Sequence, residues 1–229
     1  MTAHPDDMAE AIAEAEAQTA VAGSDVGGPV NQIVLATHNR HKVEEFQAIV
    51  AATRPDLVVV AYHGPEPVED GVTFAENALI KARAAAQHTG LPALADDSGI
   101  CVDVLGGAPG VFSAYWAGHA KDAAANLNLL LDQLSDIRDP HRTAQFVSTI
   151  AFVVPGEASR EGVVEGVWPG RLASAAAGEG GFGYDPIFIP DGQQADAERT
   201  VGEWTALEKN AASHRARAFE ALAPLLAEL

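Results

Sequence analysis

The chain has 229 residues, of which 48% are hydrophobic and 20% charged, and its formal net charge is −18. This length and composition predict one compact soluble unit with a sizeable core. The negative charge argues against a nucleic-acid polymer as partner, because such interfaces need a broad basic surface, and no apolar run reaches the roughly 20 residues that span a bilayer.

The N-terminal segment differs in composition from the rest of the chain. Residues 1–29 are rich in Ala and Glu and end in the segment Gly23–Pro29. Such a composition is typical of a flexible, partly helical tail, so the folded domain is predicted to occupy residues 30–229. The tail contains no Lys or Arg of the kind that a secretory or mitochondrial leader carries, which favours a cytoplasmic location.

Strands and helices alternate in the first half of the domain. Short apolar runs predict three strands, at Ile33–Ala36, Val58–Tyr62 and Pro92–Ala95. One helix is predicted after Lys42, and a second runs from the capping box at Thr73 to about Gln87. The third strand is expected to close at Asp96–Gly99.

The second half predicts a mixed sheet. A leucine-rich helix is predicted from about Lys121 to Leu134, and a capping box at Thr205 opens the last helix, which Pro224 should kink or restart. Between these helices, an antiparallel pair is predicted at Gln145–Val154 and Glu161–Trp168. The sequence therefore predicts an α/β fold in which parallel and antiparallel strands share one sheet.

The stretch GEGGFGYDPIF, residues 178–188, contains the G-x-G-x-x-G spacing of dinucleotide-binding proteins. That spacing binds a pyrophosphate only where a strand precedes it and a helix opens directly after it. Here Pro186, Pro190 and large apolar residues follow, and these residues do not open a helix. The stretch is therefore not interpreted as an NAD or FAD site.

A polar loop between the first strand and the first helix is a candidate anion site. It consists of Thr37, His38, Asn39, Arg40, His41 and Lys42. Unpaired backbone N–H groups and the helix dipole favour an anion at such a helix N-terminus. The alternative is an ordinary N-cap with a solvated lysine, and the absence of bracketing glycines excludes a Walker A motif.

Acidic residues at two places are candidate ligands for a hard cation. Asp96 and Asp97 lie at the expected end of a strand, where ligands of α/β sheets gather, and Mg²⁺ prefers carboxylate oxygens. A carboxylate there can also deprotonate a water. The alternative is a turn with solvated acids. Glu69 and Asp70 are an exposed acidic loop or, if the fold brings them near, a second source of ligands.

The last helix presents a cluster of hydrogen-bond donors. Lys209 and Ser213 are i, i+4 neighbours, with His214 and Arg215 to the side. Such a surface reads a base edge or holds phosphate if it faces a cleft, and is otherwise solvated helix surface.

Six motifs occur in the order found in a known family. They are the Thr37-x-Asn39-x-x-Lys42 loop, Phe74-x-Glu76-Asn77-Ala78, Ala95–Gly99, Leu105–Ala114, Gly181–Phe188 and Lys209-x-x-x-Ser213-His214-Arg215. Together they closely resemble the inosine triphosphate pyrophosphatase family, house-cleaning enzymes that hydrolyse ITP, dITP and XTP to the monophosphate and pyrophosphate. The resemblance covers about residues 32–223. The position after Thr37, often glycine in the family, is His38.

The resemblance implies a fold and a set of partners. It implies an elongated mixed sheet in two α/β lobes with the active-site cleft between them, usually assembled as a homodimer. The implied substrates are small-molecule purine nucleoside triphosphates, and the implied cofactor is Mg²⁺.

The resemblance also implies roles for the motif residues. The loop Thr37–Lys42 and Lys81 would grip the triphosphate, Ser98 would contact the substrate, Asp97 would be the metal-linked general base, and Glu69 would be a second Mg²⁺ ligand. Gly180, Gly181 and Gly183 would let the backbone approach the nucleotide while Phe182 stacks on the purine. Asp185, Lys209, His214 and Arg215 would border the base, and Tyr184 is a further residue implied to bind the substrate.

Two other functions fit parts of the pattern. A pyrophosphatase of the Maf type shares the architecture but prefers other nucleotides, and the segment Lys209–Arg215 argues against it. A catalytically silent nucleotide-binding protein is disfavoured by the presence of Asp97, Glu69 and Lys42.

Overall fold

The computed structural model describes residues 32–156 and 160–226, without the side chains of residues 41, 52 and 53. The predicted tail, residues 1–29, lies outside the described residues. The strands are β1 (Gln32–Leu35), β2 (Val58–Ala61), β3 (Ala93–Val102), β4 (Thr143–Val153), β5 (Glu161–Leu172) and β6 (Phe188–Pro190). The helices are α1 (Arg40–Thr53), α2 (Phe74–Thr89), α3 (Ala123–Gln133), α4 (Ala206–Ala212) and α5 (His214–Leu226).

All six strands form one mixed sheet in the order β2-β1-β3-β4-β5-β6. β1 is parallel to both β2 and β3. The pairs β3 with β4, β4 with β5 and β5 with β6 are antiparallel. β1 pairs with β3 only through Val34 with Ala93 and Leu35 with Leu94, so β1 ends early along β3. The predicted mixed α/β sheet is confirmed.

The prediction that the third strand closes at Asp96–Gly99 is wrong. β3 continues to Val102, because β4 pairs with it along its whole length, from Ala93 opposite Val153 to Val102 opposite Ala144. Antiparallel pairing satisfies the backbone of β3 beyond the point where β1 stops. Asp96 and Asp97 therefore lie inside a strand, immediately past the end of its parallel partner.

The apolar residues form separate clusters toward the two ends of the long strands. At the end near β1 and β2, Phe46 of α1 and Phe219 of α5 are buried in one cluster with Leu94 of β3, and alanines of α2 belong to a further cluster. At the other end, Leu130 and Trp168 belong to a cluster that includes α3 and β6 residues. The core of the described residues is therefore divided into separate apolar clusters along one sheet.

The last predicted helix is two helices. α4 ends at Ala212, Ser213 is extended with ψ 162°, and α5 begins at His214. Ser213 Oγ accepts a hydrogen bond from the Ala216 N–H at 3.2 Å, so Ser213 closes one helix and caps the next. Pro224 does not restart the helix, since α5 continues to Leu226. Across the described helices, none has both the length and the apolar character required to cross a membrane.

Candidate active site

The site begins where β1 ends. Residues Thr37 to Lys42 leave β1 and enter α1, and the register of β1 on β3 places this loop beside Asp96 and its neighbours. Asn39 N–H donates to Thr37 Oγ1 at 3.1 Å, and Lys42 N–H donates to Asn39 Oδ1 at 3.4 Å. The N-cap alternative is thus correct for Asn39, but Lys42 is not a solvated lysine, because its side chain is mostly buried.

Asp96 is a buried carboxylate with four side-chain partners. Ser148 Oγ donates to it at 2.6 Å and Ser98 Oγ at 3.0 Å, while Lys42 Nζ lies at 2.9 Å and Arg215 Nε at 3.3 Å. Burial opposes its charge, but the two cations and the hydrogen bonds hold the pKa of Asp96 well below its ordinary value. Asp96 is therefore a fixed anion that holds two cations of the site in place.

Asp97 has a different environment, because successive residues of a strand point to opposite faces of the sheet. Lys81 Nζ of α2 lies 2.7 Å from Asp97 Oδ1 and 2.8 Å from Glu69 Oε2. Burial raises the pKa of Asp97, against the opposing effect of Lys81. Asp97 and Glu69 thus present oxygen atoms to one shared cation.

The N-terminus of α2 fixes the loop that carries Glu69. The capping box predicted at Thr73 is confirmed: Glu76 Oε2 accepts from the N–H groups of Val72 and Thr73. Asn77 Oδ1 accepts from the Gly71 N–H at 2.9 Å. Asp70 does not join Glu69, since it lines a separate surface depression.

Lys209, Asp185 and Phe182 form a second group at the junction of α4 with the glycine-rich loop. Lys209 Nζ lies 2.8 Å from Asp185 Oδ2 and 3.1 Å from Glu45 Oε1 of α1. The same ammonium lies 4.2 Å from the centroid of the Phe182 ring, within the range of a cation–π contact. Glu45 was missed by sequence reasoning, because no motif signals a contact across so many residues.

The structure shows Arg215 engaged mainly with the protein itself. Its Nε donates to Asp96, its Nη1 to Glu45 at 2.9 Å and its Nη2 to Ser98 Oγ at 3.0 Å. The side chain is 4% exposed. Sequence reasoning placed Arg215 at the edge of a base, but three of its N–H groups are already used by these contacts.

His214 and Tyr184 are both buried, with different hydrogen bonding. The His214 ring stacks on Phe146 with centroids 4.8 Å apart, and within the described part of the chain its Nδ1 has no hydrogen-bond partner. Burial, aided by Arg215, places the pKa of His214 well below its ordinary value, so the ring is neutral. Tyr184 Oη donates to the Ser113 carbonyl at 2.9 Å and is used by the fold.

The glycine-rich loop is shaped by its own contacts. Gly181 has φ 71°, and a Cβ there would lie 2.1 Å from Asp185 Oδ2. The same oxygen accepts from the Phe182 N–H at 2.7 Å. Gly181 is therefore needed for the packing of Asp185, whatever its role toward a nucleotide.

The residues described above line two cavities that adjoin each other. Cavity A, of about 310 Å³, lies among the Phe182 loop, β3 and the start of α5. Cavity B, of about 390 Å³, lies among the Thr37–Lys42 loop, α2 and β3. The residues that line both are Asn39, Lys42, Ser98, Ala114 and Lys121.

Most of the predicted site residues line one or both cavities. Those on cavity B only are Thr37, His38, Glu69, Lys81 and Asp97, and those on cavity A only are Phe182, Gly183, Tyr184, Asp185, Lys209, His214 and Arg215. Arg40 lines neither cavity; its side chain is 89% exposed and pairs with Glu44. The side chain of His41 lies outside the description. His38 Nδ1 lies 2.8 Å from Glu66 Oε1 at the wall of cavity B.

Comparison with known proteins agrees with the motif resemblance. A family model described as the Ham1 family matches residues 33–225. The dITP/XTP pyrophosphatase of Leifsonia xyli subsp. xyli is 60% identical over 199 residues, which cover 86% of this chain and 96% of the relative.

Solved structures give the same result. A HAM1 protein from Coxiella burnetii superposes with a TM-score of 0.74 at 40% identity, covering 86% of this chain and 99% of the other. A dITP/XTP pyrophosphatase from Mycobacterium abscessus superposes with a TM-score of 0.66 at 47% identity, covering 84% and 99%.

Proposed function

Because this chain belongs to the Ham1 family, we propose that it is a nucleoside triphosphate pyrophosphatase that hydrolyses deaminated purine nucleotides, namely ITP, dITP and XTP, to the monophosphate and pyrophosphate. The observation that carries the proposal is the junction of cavity A, which has an aromatic and donor-rich wall, with cavity B, which has lysines and paired carboxylates. A purine nucleotide would place its base in cavity A and its phosphates in cavity B.

In cavity A the purine would contact Phe182, Lys209 and His214. Stacking of a base on an aromatic ring is worth roughly 1–3 kcal/mol. Hypoxanthine and xanthine carry an O6 acceptor where adenine carries an amino donor. Lys209 has three N–H groups, two of which are directed at Asp185 and Glu45, and the buried His214 Nδ1 has no partner among the described residues. His214 supports recognition of O6 better than Arg215, because its Nδ1 is unused among the described residues whereas three of the five N–H groups of Arg215 already bind the protein.

In cavity B we assign Asp97 and Glu69 as ligands of Mg²⁺. Both carboxylates already converge on one cation, the Lys81 ammonium, so their oxygens are suited to a hard ion. Substrate phosphates would supply further ligands of that ion. Within residues 32–156 and 160–226 no group of three or more His, Cys, Asp or Glu side chains is placed to hold a metal, so the protein would supply only part of the ligand set. When bound, Mg²⁺ would neutralise charge on the phosphates.

The protein's own groups would carry the remaining steps. Lys42 and Lys81 would bind phosphate oxygens, and the backbone N–H groups at the start of α1 add to this attraction. Asp97 would accept a proton from the attacking water, since its carboxylate lines cavity B beside the lysines that would bind the phosphates. Asp96 would keep Lys42 in place.

The test is product analysis across ITP, dITP, XTP, ATP and pyrimidine triphosphates, with Mg²⁺ and with EDTA. The deaminated purine triphosphates should release pyrophosphate rather than orthophosphate. EDTA should abolish the reaction. Asp97→Asn should lower kcat by at least about 100-fold, the usual scale for loss of a general base. Asp70→Asn, at a carboxylate outside both cavities, is the control and should retain full kcat.

Other outcomes would redirect the assignment. Preferred hydrolysis of pyrimidine nucleotides would favour a Maf-type enzyme, and nucleotide binding without product would indicate a silent binding protein. Orthophosphate as first product would indicate a phosphatase. More than about a tenth of wild-type kcat in Asp97→Asn would move the base elsewhere.

We also propose that the protein acts as a homodimer in the cytoplasm, as the family resemblance implies. Light scattering on purified protein at micromolar concentration should give twice the mass of the 23.8 kDa chain. A monomer mass with full activity would contradict the dimer.

A further inference from the structure

Lys121 differs from the other three lysines of the chain. Lys42 pairs with Asp96, Lys81 with Glu69 and Asp97, and Lys209 with Glu45 and Asp185. The Lys121 ammonium forms no ion pair or side-chain hydrogen bond within the described portion of the chain. Lys121 is exposed, and none of the sequence motifs includes it.

Lys121 lines cavity A and cavity B at once. It lies in the loop between the 3₁₀ turn Gly110–Tyr115 and Asp122, the N-cap of α3. It therefore approaches the junction of the cavities from an element different from α1, which carries Lys42, and α2, which carries Lys81.

The backbone of Lys121 is in an unusual conformation. Its φ is 53°, and it is the one non-glycine residue with positive φ in the structure as described. An L-residue in this region costs roughly 1–2 kcal/mol, a cost that glycine avoids. A strained residue that lines a cavity warrants a functional hypothesis, and for Lys121 the candidate function is the placement of its ammonium.

The charge balance of the cavity walls shows what this ammonium would add. The paired cations are Lys42, Lys81, Lys209 and Arg215, and the carboxylates that hold them are Glu45, Glu69, Asp96, Asp97 and Asp185. The carboxylates outnumber the cations, so these groups together offer no excess positive charge to a triphosphate. Lys121 is a cation at the same place, and no carboxylate of residues 32–156 or 160–226 forms an ion pair with it.

We propose that Lys121 is a further substrate-binding residue, whose ammonium contacts the α-phosphate of the nucleotide at the junction of the two cavities. The proposal rests on the proposed function, in which the base enters cavity A and the phosphate chain enters cavity B. The α-phosphate joins these two parts of the substrate and so lies at the junction. A compact ammonium on a flexible stem is suited to phosphate oxygens.

The experiment compares binding of three unreactive ligands by calorimetry. Inosine monophosphate contains the base and the α-phosphate, inosine lacks the phosphate, and pyrophosphate lacks the nucleoside. Lys121→Met should weaken binding of inosine monophosphate about tenfold or more, the scale of one charge-assisted hydrogen bond, and Lys121→Arg should retain most of the affinity. Inosine affinity should remain within about twofold in both variants.

Two further variants separate binding from folding and from overall charge. Lys121→Gly should keep or raise the melting temperature, because glycine tolerates this φ. It should nevertheless weaken the binding of inosine monophosphate as much as Lys121→Met does. Arg138→Met removes an exposed cation that lines neither cavity and should leave all three affinities unchanged.

The outcomes distinguish this inference from the proposed function. Wild-type protein that releases no pyrophosphate from ITP would refute the proposed function. Active wild-type protein whose Lys121→Met and Lys121→Gly variants bind inosine monophosphate normally would refute only the role of Lys121. Equal weakening of inosine and inosine monophosphate would also overturn it, because a phosphate contact does not act on inosine.

Discussion

Asp96 and Asp97 are adjacent carboxylates with different surroundings. Alternation along β3 directs Asp96 toward Lys42, Ser148 and Arg215, and Asp97 toward Lys81. Burial dominates at Asp97 and raises its pKa, whereas the partners of Asp96 outweigh burial and lower its pKa. The sequence presents the two as equals, and only the strand geometry gives them different partners.

Asp96→Asn should be strongly destabilising. The amide keeps the shape, but it leaves Lys42 and Arg215 buried without the anion between them, and breaking such a buried pair typically costs about 3–5 kcal/mol. Denaturation by urea should show this loss of unfolding free energy. Asp136→Asn, at an exposed carboxylate, is the matched control. A loss below about 1 kcal/mol in Asp96→Asn would show that the network relaxes around the change.

At the scale of elements, predictions from local signals hold and those that need distant partners fail. The capping boxes at Thr73 and Thr205 are confirmed, because each is built within four consecutive residues. The extension of β3 to Val102 depends on β4, a partner that the local sequence does not show. The break at Ser213 is an exception, because the Ser213 hydroxyl that caps α5 lies within the local sequence and the sequence analysis missed it.

Prediction of the site residues is likewise limited to those that carry a local sequence signal. Ordered motifs identified most of the residues that line the two cavities, since each motif is short and local. Glu45 lies on α1 between Lys209 and Arg215, and it carries no local signal of that contact. Lys121 was predicted to begin α3, but the helix starts at Ala123 and Lys121 lies outside it.

Thr73→Ala tests the contribution of the α2 cap to stability. The Thr73 hydroxyl accepts from the Glu76 N–H, and replacing such a cap by alanine costs about 1 kcal/mol. The melting temperature, followed by circular dichroism, should fall by roughly 2–4 °C for a protein of this size. Gln87→Ala, at an exposed position of the same helix, should change it little. An unchanged melting temperature in Thr73→Ala would mean that the cap adds nothing to α2.

At the scale of the whole molecule, charge is distributed unevenly. The chain is strongly acidic, yet three of its four lysines and Arg215 are gathered around the two cavities and paired with carboxylates. Many of these groups are buried, so folding changes their pKa values, and global stability must depend on pH.

The direction of that dependence follows from the pKa shifts. Folding lowers the pKa values of Asp96, Glu161 and His214, and lowers that of Glu208 to about 2. Each group therefore binds protons less readily in the folded chain, and its contribution to stability is present above its unfolded pKa and is lost as pH falls toward its folded pKa. The raised pKa of Asp97 acts in the opposite sense, but it is one group against several.

We therefore predict that the melting temperature falls as the pH is lowered from 7, and that His214 causes the first part of the fall. An ordinary histidine has a pKa of about 6.5 when unfolded, whereas buried His214 stays neutral, so unfolding takes up a proton below that pH. This linkage removes up to about 1.4 kcal/mol per pH unit. His214→Phe can stack on Phe146 without titrating, so its melting temperature should be nearly flat between pH 6.5 and 5 and fall only where carboxylates protonate. His141→Gln, at an exposed histidine, should retain the wild-type slope, and the same slope in His214→Phe would show that His214 is not the buried neutral base inferred from its surroundings.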